Sequence, residues 1–176
     1  MLRAMPRYAA LLRGVSPTNA KMPELVRAFE AAGFSDVKTI LSSGNVNFGS
    51  RAGTIAKLQA RAEAGMEKAL GKSFMTIVRE LSELEALLAS DPYAGFKLPA
   101  KSKRVVTFLR ETPATPPKLP VSLGQARIFC LKDGAAYGSY VPAIEGPLFM
   151  KLIEKTLGKE QSTRTWDTIT KIVKSG

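Results

Sequence analysis

Two short segments of this sequence hold residues whose types and spacing could bind an anion or another polar ligand. Guanidinium, ammonium, hydroxyl and amide groups are combined there with glycines, which leave backbone N–H groups accessible. The residues are Arg13, Gly14, Asn19 and Lys21 in the first segment, and Ser42, Ser43, Gly44 and Asn45 in the second. Turn chemistry is the competing explanation, because serine, glycine and asparagine are also the residues that a hairpin turn requires.

A second group of cations lies on a predicted helix over residues 54–70 and just beyond its end. At about 100° per residue, four basic side chains fall on one side of the helix, away from its apolar stripe. They are Lys57, Arg61, Lys68 and Lys72. A basic stripe of this kind could follow a phosphate backbone. Few aromatic residues accompany it, although stacking surfaces are expected where single strands are gripped, so a solvated helix face is the favoured interpretation.

The C-terminal segment from Thr163 to Thr168 holds Trp166, the one tryptophan of the chain. Its large apolar area predicts that Trp166 anchors a terminal helix to the core. Thr165 is the predicted N-cap of that helix, so Arg164 lies where it could add to an anion site. Arg164 and Trp166 are therefore included among the candidate ligand-binding residues.

The composition excludes several kinds of chemistry. The chain has no histidine and a single cysteine. Ser-His-Asp and Cys-His catalysis, an internal disulfide and a cysteine-rich zinc site are therefore excluded. We predict no metal site and no cofactor. A pair made by Lys21 with Ser42 or Ser43 remains open as a catalytic arrangement that needs no histidine.

The order of elements in the first half explains how the two polar segments could meet. Apolar runs and helical periodicity predict strand, helix, strand, strand, helix and strand over residues 7–12, 23–32, 36–41, 46–48, 54–70 and 73–78. This is the split βαβ order of ferredoxin-like domains. In such a sheet the end of the first strand lies beside the turn between the second and third strands. Arg13 and Ser43 are therefore expected on one rim.

The second half predicts a smaller α+β subdomain. Its expected elements are a helix over 82–88, strands over 104–109, 126–131 and 135–141, a helix from Pro147 to the residue before Gly158, and a helix after Thr165. Residues 112–120 contain four prolines and predict a stiff connector, which could also be a ligand for a proline-binding partner. We divide the chain into subdomains 1–78 and 79–176 and expect one compact unit.

Four motifs in the first fifty residues resemble the bacterial family catalogued as domain of unknown function 1697. They are Tyr8-Ala-Ala-Leu-Leu-Arg-Gly14, Lys21-Met-Pro-Glu-Leu25, Ala32-Gly-Phe34 and Ser42-Ser-Gly-Asn45. The segment 163–168 resembles that family's closing Arg-Asn-Trp-type motif. The resemblance implies an α+β fold of two subdomains, the first ferredoxin-like, and it implies no function. Residues 15–20 depart from the family pattern, because many members carry a Gly-Gly-Lys-type loop there.

These observations predict a binding protein whose rim holds a phosphorylated or polyanionic ligand. Nucleic acid is a candidate because the net charge is +11 at pH 7. One alternative is a small enzyme that acts on an anionic small molecule without histidine, and another is a structural domain that binds a partner through residues 112–120. No apolar run is long enough to span a bilayer, and the N-terminus lacks the pattern of a signal peptide. We therefore expect a cytoplasmic protein.

Overall fold

The computed structural model describes residues 3–51 and 53–176, with the side chains of residues 143–145 excepted. Within these residues the protein is α+β, with two antiparallel sheets and five helices, which confirms the predicted fold class. The chain divides into two compact units, one of residues 1–89 with 170–176 and the other of residues 90–169. No helix in the described part of the chain is both long and apolar enough to cross a membrane.

The first unit contains four strands and three complete helices. They are β1 (Arg7–Leu12), α1 (Met22–Ala31), β2 (Ser35–Ile40), β3 (Asn45–Gly49), α2 (Ile55–Leu70), β4 (Thr76–Glu80) and α3 (Leu81–Ala89). Thr54 caps α2 by accepting a hydrogen bond from the backbone N–H of Lys57, and Gly71 ends it at φ 69°. The hydroxyl cap and the left-handed glycine explain why the sequence locates this helix to within a residue.

The strands of the first unit form one antiparallel sheet in the order β2-β3-β1-β4. This order is compatible with the predicted ferredoxin-like arrangement. β3 lies between β1 and β2, and Leu11 of β1 is paired with Asn45 at the start of β3. The C-terminal end of β1 therefore lies beside the turn that connects β2 to β3.

One face of this sheet and the helices α1 and α2 enclose an aromatic core. Phe48 of β3 is fully buried, and its ring centroid lies 4.3 Å from that of Phe34 and 5.5 Å from that of Tyr8. Phe29 of α1 is also fully buried, with its centroid 5.8 Å from that of Phe48. Since burying such a side chain is worth about 2–3 kcal/mol, this cluster fixes the helices against the strands.

The open edge of β4 is covered by side chains of α2. Gln59 Oε1 accepts a hydrogen bond from the backbone N–H of Val78 at 3.1 Å, and Glu63 Oε2 accepts one from that of Thr76 at 3.2 Å. Gln59 and Glu63 are one helical turn apart, while Thr76 and Val78 face the same side of the strand, so the two spacings match. The edge is thereby protected from pairing with another strand.

The other face of the sheet meets the C-terminal helix α5 (Trp166–Lys174), whose residues from 170 onward belong to this unit. Asn47 is fully buried on this face, and its Nδ2 donates to the backbone oxygen of Ile172 at 2.9 Å. This bond ties the end of α5 to β3.

The second unit has a five-stranded antiparallel sheet in the order β6-β7-β8-β5-β9. Its elements are β5 (Lys103–Leu109), β6 (Val121–Leu123), β7 (Ala126–Lys132), β8 (Ala135–Tyr140), α4 (Pro142–Leu157), β9 (Gln161–Thr165) and the first turn of α5. One face packs against α4 through a core that includes Val105, Ile128, Phe149 and Ile153. The Pro-rich segment 112–120 is mostly exposed, although Leu119 packs against this core.

Two expectations about the second unit are wrong. Pro147 lies inside α4 and does not begin it, because the helix starts at Pro142, which occupies its first turn after Val141. The strand β9 was also not expected. Its sequence, Gln-Ser-Thr-Arg-Thr, lacks apolar alternation, and pairing with β5 makes it a strand.

Candidate functional site

The rim of the first unit is formed by the loop 13–21, which follows β1, and the turn 41–44, which joins β2 to β3. The backbone N–H of Leu12 donates to the carbonyl oxygen of Gly44 at 2.8 Å. Gly44 has a φ of 87°, and a Cβ atom there would lie 2.9 Å from Cβ of Val15 and 3.0 Å from that of Leu12. Only glycine allows this approach. The structure thus brings the two predicted polar segments together.

The loop 13–21 is braced by the side chain of Asn19. Its Nδ2 donates to the carbonyl oxygen of Gly14 at 2.7 Å, and its Oδ1 accepts from the backbone N–H of Ser16 at 2.8 Å. Both ends of the amide are therefore used within the loop. We interpret Asn19 as a residue that shapes the rim, and its direct contact with a ligand stays a prediction.

The turn 41–44 is braced in a similar way by Asn45. This residue is fully buried, and its Nδ2 donates to the carbonyl oxygen of Ile40 at 2.9 Å and to Ser43 Oγ at 3.2 Å. Leu41 is 49% exposed and adopts a φ of 60°, a conformation that is unfavourable for a residue with a branched side chain. The buried amide of Asn45 therefore holds the turn in a shape that leaves Leu41 strained.

The remaining rim residues lie at the surface. Ser42, Ser43, Gly14 and Lys21 are exposed, and Arg13 is half-buried. Lys21 occupies the N-cap position of α1, and its side chain makes no capping hydrogen bond. Two cations, two hydroxyl-bearing residues and an exposed glycine thus lie on a rim that two asparagines brace. This combination suits an anion.

The predicted basic stripe is only partly present at the surface. Lys57, Lys68 and Lys72 are exposed. Arg61 is half-buried, its guanidinium carbon lies 4.0 Å from the ring centroid of Phe34, and its Nη2 donates to Ser50 Oγ at 3.2 Å. Arg61 therefore contributes to packing. Two exposed lysines remain on α2, and Lys72 lies just beyond the end of the helix. A role for this stripe in binding nucleic acid stays a prediction.

In the second unit, Arg164 is a buried cation. It is 9% exposed, and its Nη1 donates to Ser162 Oγ and to the carbonyl oxygen of Thr163, both at 2.8 Å. Burial lowers its pKa to about 10, so the guanidinium stays protonated at neutral pH. Its hydrogen bonds within β9 make Arg164 a structural element of this strand.

Trp166 is half-buried at the start of α5, on a face that sequence reasoning did not assign. The guanidinium carbon of Arg104 lies 4.7 Å from the centroid of the Trp166 ring, and the ring of Tyr93 packs edge-on at 5.7 Å. Arg104 was not among the residues predicted from the sequence, because its contact with Trp166 depends on the pairing of β5 with β9. The alternation of side chains in β5 places Arg104 on the same face as Val106 and Phe108, and this was the signal that could have indicated it.

A groove of about 540 Å³ lies beside α4 in the second unit. Its lining includes Tyr140, Phe149 and Met150, with Thr163 and Thr165 as the hydroxyl-bearing residues from β9. Thr163 Oγ1 is hydrogen-bonded to Thr107 Oγ1 at 2.9 Å, and Thr165 Oγ1 is hydrogen-bonded to Thr168 Oγ1 at 3.0 Å. Both hydroxyls are already paired, so the groove offers mainly apolar contact.

Other groups of catalytic or metal-binding type are sparse. Between residues 3–51 and 53–176 no three acidic or cysteine side chains gather where they could hold a metal ion. Cys130 is half-buried, and burial raises the pKa of its thiol. A thiol of this kind is a poor nucleophile at neutral pH.

The sequence profile of the family described as "Protein of unknown function (DUF1697)" matches residues 5–124. The chain belongs to this family, which confirms the resemblance carried by its motifs. A comparison with curated proteins gives no match. Among solved structures the chain is similar to the conserved bacterial protein SP0830 from Streptococcus pneumoniae, with 22% identity over 98% of each chain and a TM-score of 0.68. At this identity the similarity shows a shared fold.

Proposed function

We propose that this DUF1697 protein binds a phosphorylated or polyanionic ligand at the rim of its first unit. The observation that carries the proposal is the junction of Leu12 with Gly44, which fixes the loop 13–21 against the turn 41–44. Such a junction places the cations of one segment and the hydroxyls of the other on a common support.

The chemistry of Arg13, Lys21, Ser42 and Ser43 favours an anion. Arg13 supplies a planar guanidinium that can donate two parallel hydrogen bonds, and Lys21 supplies a compact charge. Ser42 and Ser43 add hydroxyl donors. Asn19 and Asn45 act as supports, since their amides are engaged in the loop and the turn. A pre-organised site of this kind does not need to order its loops when the ligand binds.

Binding of pyrophosphate, measured by isothermal titration calorimetry at low salt, tests the proposal directly. We expect Arg13→Ala and Lys21→Ala each to weaken binding about tenfold, because each removes a charge-assisted hydrogen bond. Lys38→Ala is the matched control, because Lys38 is an exposed cation of β2 outside the rim. Binding that is absent, or that is weakened equally by Lys38→Ala, would overturn the proposal.

Nucleic acid is the polyanion that the net charge of +11 favours. A gel-shift titration of a single-stranded oligonucleotide at several salt concentrations distinguishes it from a small phosphorylated ligand. If the strand also crosses α2, its affinity falls steeply with salt, and Lys57→Glu weakens it further. A small ligand held by the rim alone is unaffected by Lys57→Glu.

We also place the protein in the cytoplasm. The lone Cys130 is consistent with a reducing compartment, since proteins of oxidising compartments commonly use cysteine in pairs. Cell fractionation with an antibody against the native chain tests this location, and recovery in the membrane or secreted fraction would contradict it.

A further inference from the structure

Arg104 is an exposed residue of the second unit that lies against two aromatic rings, the buried Tyr93 and the half-buried Trp166. Its side chain is exposed, and its guanidinium carbon lies 4.7 Å from the Trp166 centroid and 5.6 Å from the Tyr93 centroid. Tyr93 is itself fixed, because its hydroxyl lies 2.7 Å from the carbonyl oxygen of Val105 and 3.1 Å from that of Gly138. The guanidinium plane therefore rests on a rigid aromatic support.

Strand pairing places a second arginine in the same row. Ser139 of β8 is paired with Arg104 of β5 on one side and with Arg127 of β7 on the other. Directly paired residues of antiparallel strands point to the same face. With strands about 4.8 Å apart, the Cα atoms of the two arginines are about 10 Å apart, which lets their long side chains converge on one group.

The residue between the two arginines is a buried serine. Ser139 is fully buried, and its hydroxyl has no hydrogen-bond partner among the described residues. Leaving such a hydroxyl unpaired at a buried position is unfavourable. A hydroxyl in this position can donate to an anionic oxygen held by Arg104 and Arg127.

The charges of this row are not balanced locally. Arg104 and Arg127 are both exposed, and in the described part of the chain neither forms an ion pair with an acidic side chain. A bound anion would relieve the repulsion between them. The row thus offers a flat cation stacked on tryptophan at one end and a second cation with a hydroxyl at the other.

We propose that this row, Trp166, Arg104, Ser139 and Arg127, is a binding site for a nucleotide. The base stacks on the outer face of the Arg104 guanidinium, which Trp166 supports from below, and Arg127 and Ser139 hold the phosphate. Stacking of bases on arginine planes and aromatic rings is common in nucleotide recognition. The row contains none of the residues of the rim and does not depend on the rim proposal.

The single tryptophan of the chain makes the site directly observable. Titration with AMP is expected to change the fluorescence of Trp166 in a saturable way. Adenosine, which lacks the phosphate, and inorganic phosphate, which lacks the base, are titrated separately. We expect AMP to bind more tightly than either probe, because base and phosphate contact different ends of the row.

Substitutions of Arg104 and Arg127 test the two ends of the row separately. Arg104→Ala is expected to weaken both AMP and adenosine about tenfold, whereas Arg127→Ala weakens AMP about tenfold and leaves adenosine unchanged. Ser139→Ala is expected to weaken AMP without lowering the melting temperature, which a purely structural serine would not do. Lys103→Ala is the matched control, because Lys103 is exposed and adjacent but is paired with Tyr140 on the other face.

A free nucleotide and a single-stranded nucleic acid share this chemistry. Saturation by AMP but not by an oligouridylate of eight nucleotides assigns the site to free nucleotides, and the reverse assigns it to a strand. No saturable fluorescence change with either, or an equal loss in Arg104→Ala and Lys103→Ala, would overturn the proposal. The row contains no residue of the rim, so these titrations test it independently of the rim proposal.

Discussion

Gly44 and Leu12 are joined both by a backbone hydrogen bond of 2.8 Å and by a contact that leaves no room for a side chain at Gly44. The bond joins the last residue of β1 to the residue just before β3, and so continues the pairing of the two strands by one residue. It makes the position of the turn 41–44 a consequence of the sheet rather than of the turn's own sequence. The polar residues of the rim are therefore held in place by the sheet.

Gly44→Ala is expected to destabilise the protein by about 2–3 kcal/mol. The new Cβ atom meets both a φ of 87° and the atoms of Leu12 and Val15. Gly14→Ala is the matched control, because Gly14 has a φ of 83° with nothing within 4 Å. The free energy of unfolding of Gly14→Ala should fall by only about 1 kcal/mol. Urea denaturation of the two variants measures the difference, and equal losses would show that the contact with β1 is unimportant.

Asn19→Ala is expected to loosen the loop 13–21, because it removes the bonds to Gly14 and Ser16. Pyrophosphate affinity should fall several-fold while the denaturation midpoint changes little, since Asn19 itself is not a member of the hydrophobic core. Calorimetry with parallel urea titrations distinguishes the two effects. A large loss of stability with unchanged affinity would show that Asn19 serves the fold alone.

The sequence predicted the rim because its signals are local. Pro23, Gly33 and Gly71 mark helix ends, and the Ser-Ser-Gly-Asn turn lies between two apolar runs, so the order of elements fixes which segments meet. The sequence could not predict which hydrogen bonds the amide side chains of the rim make. Asn19 and Asn45 have the composition of ligand donors, yet the backbone groups that they bond are determined only in the folded loops.

The second unit shows the opposite case. β9 is polar and is a strand only through its pairing with β5, so the sequence gives no periodic signal for it. The relation of Arg104 to Trp166 depends on that pairing, and the position of Ser139 beside Arg104 depends on the pairing of β5 with β8. Non-local pairing, unlike helix capping, leaves little trace in neighbouring residues.

Gln59→Leu is expected to destabilise the protein by about 1–3 kcal/mol, because the backbone N–H of Val78 would lose its acceptor at a buried position. Leucine keeps most of the apolar contacts of this side chain, so the decrease in the free energy of unfolding measures the contribution of the hydrogen bond. Amide exchange of Val78 should become much faster than that of Val46 in the central strand β3. Unchanged exchange at Val78 would contradict a role for Gln59 in covering the edge of β4.

Tyr137→Phe is expected to reduce the loss of stability at alkaline pH. Burial first, and then the negative charges that Cys130 and Asp133 can carry, raise the pKa of Tyr137 to about 12 from its ordinary value of 10. Above pH 10 the unfolded chain therefore releases the phenol proton while the native protein retains it, so the free energy of unfolding falls as the pH rises toward 12. Phenylalanine has no such proton. Urea denaturation at pH 9 and pH 11 should show the variant gaining about 1 kcal/mol relative to the parent protein, and parallel losses in the two proteins would contradict the assignment.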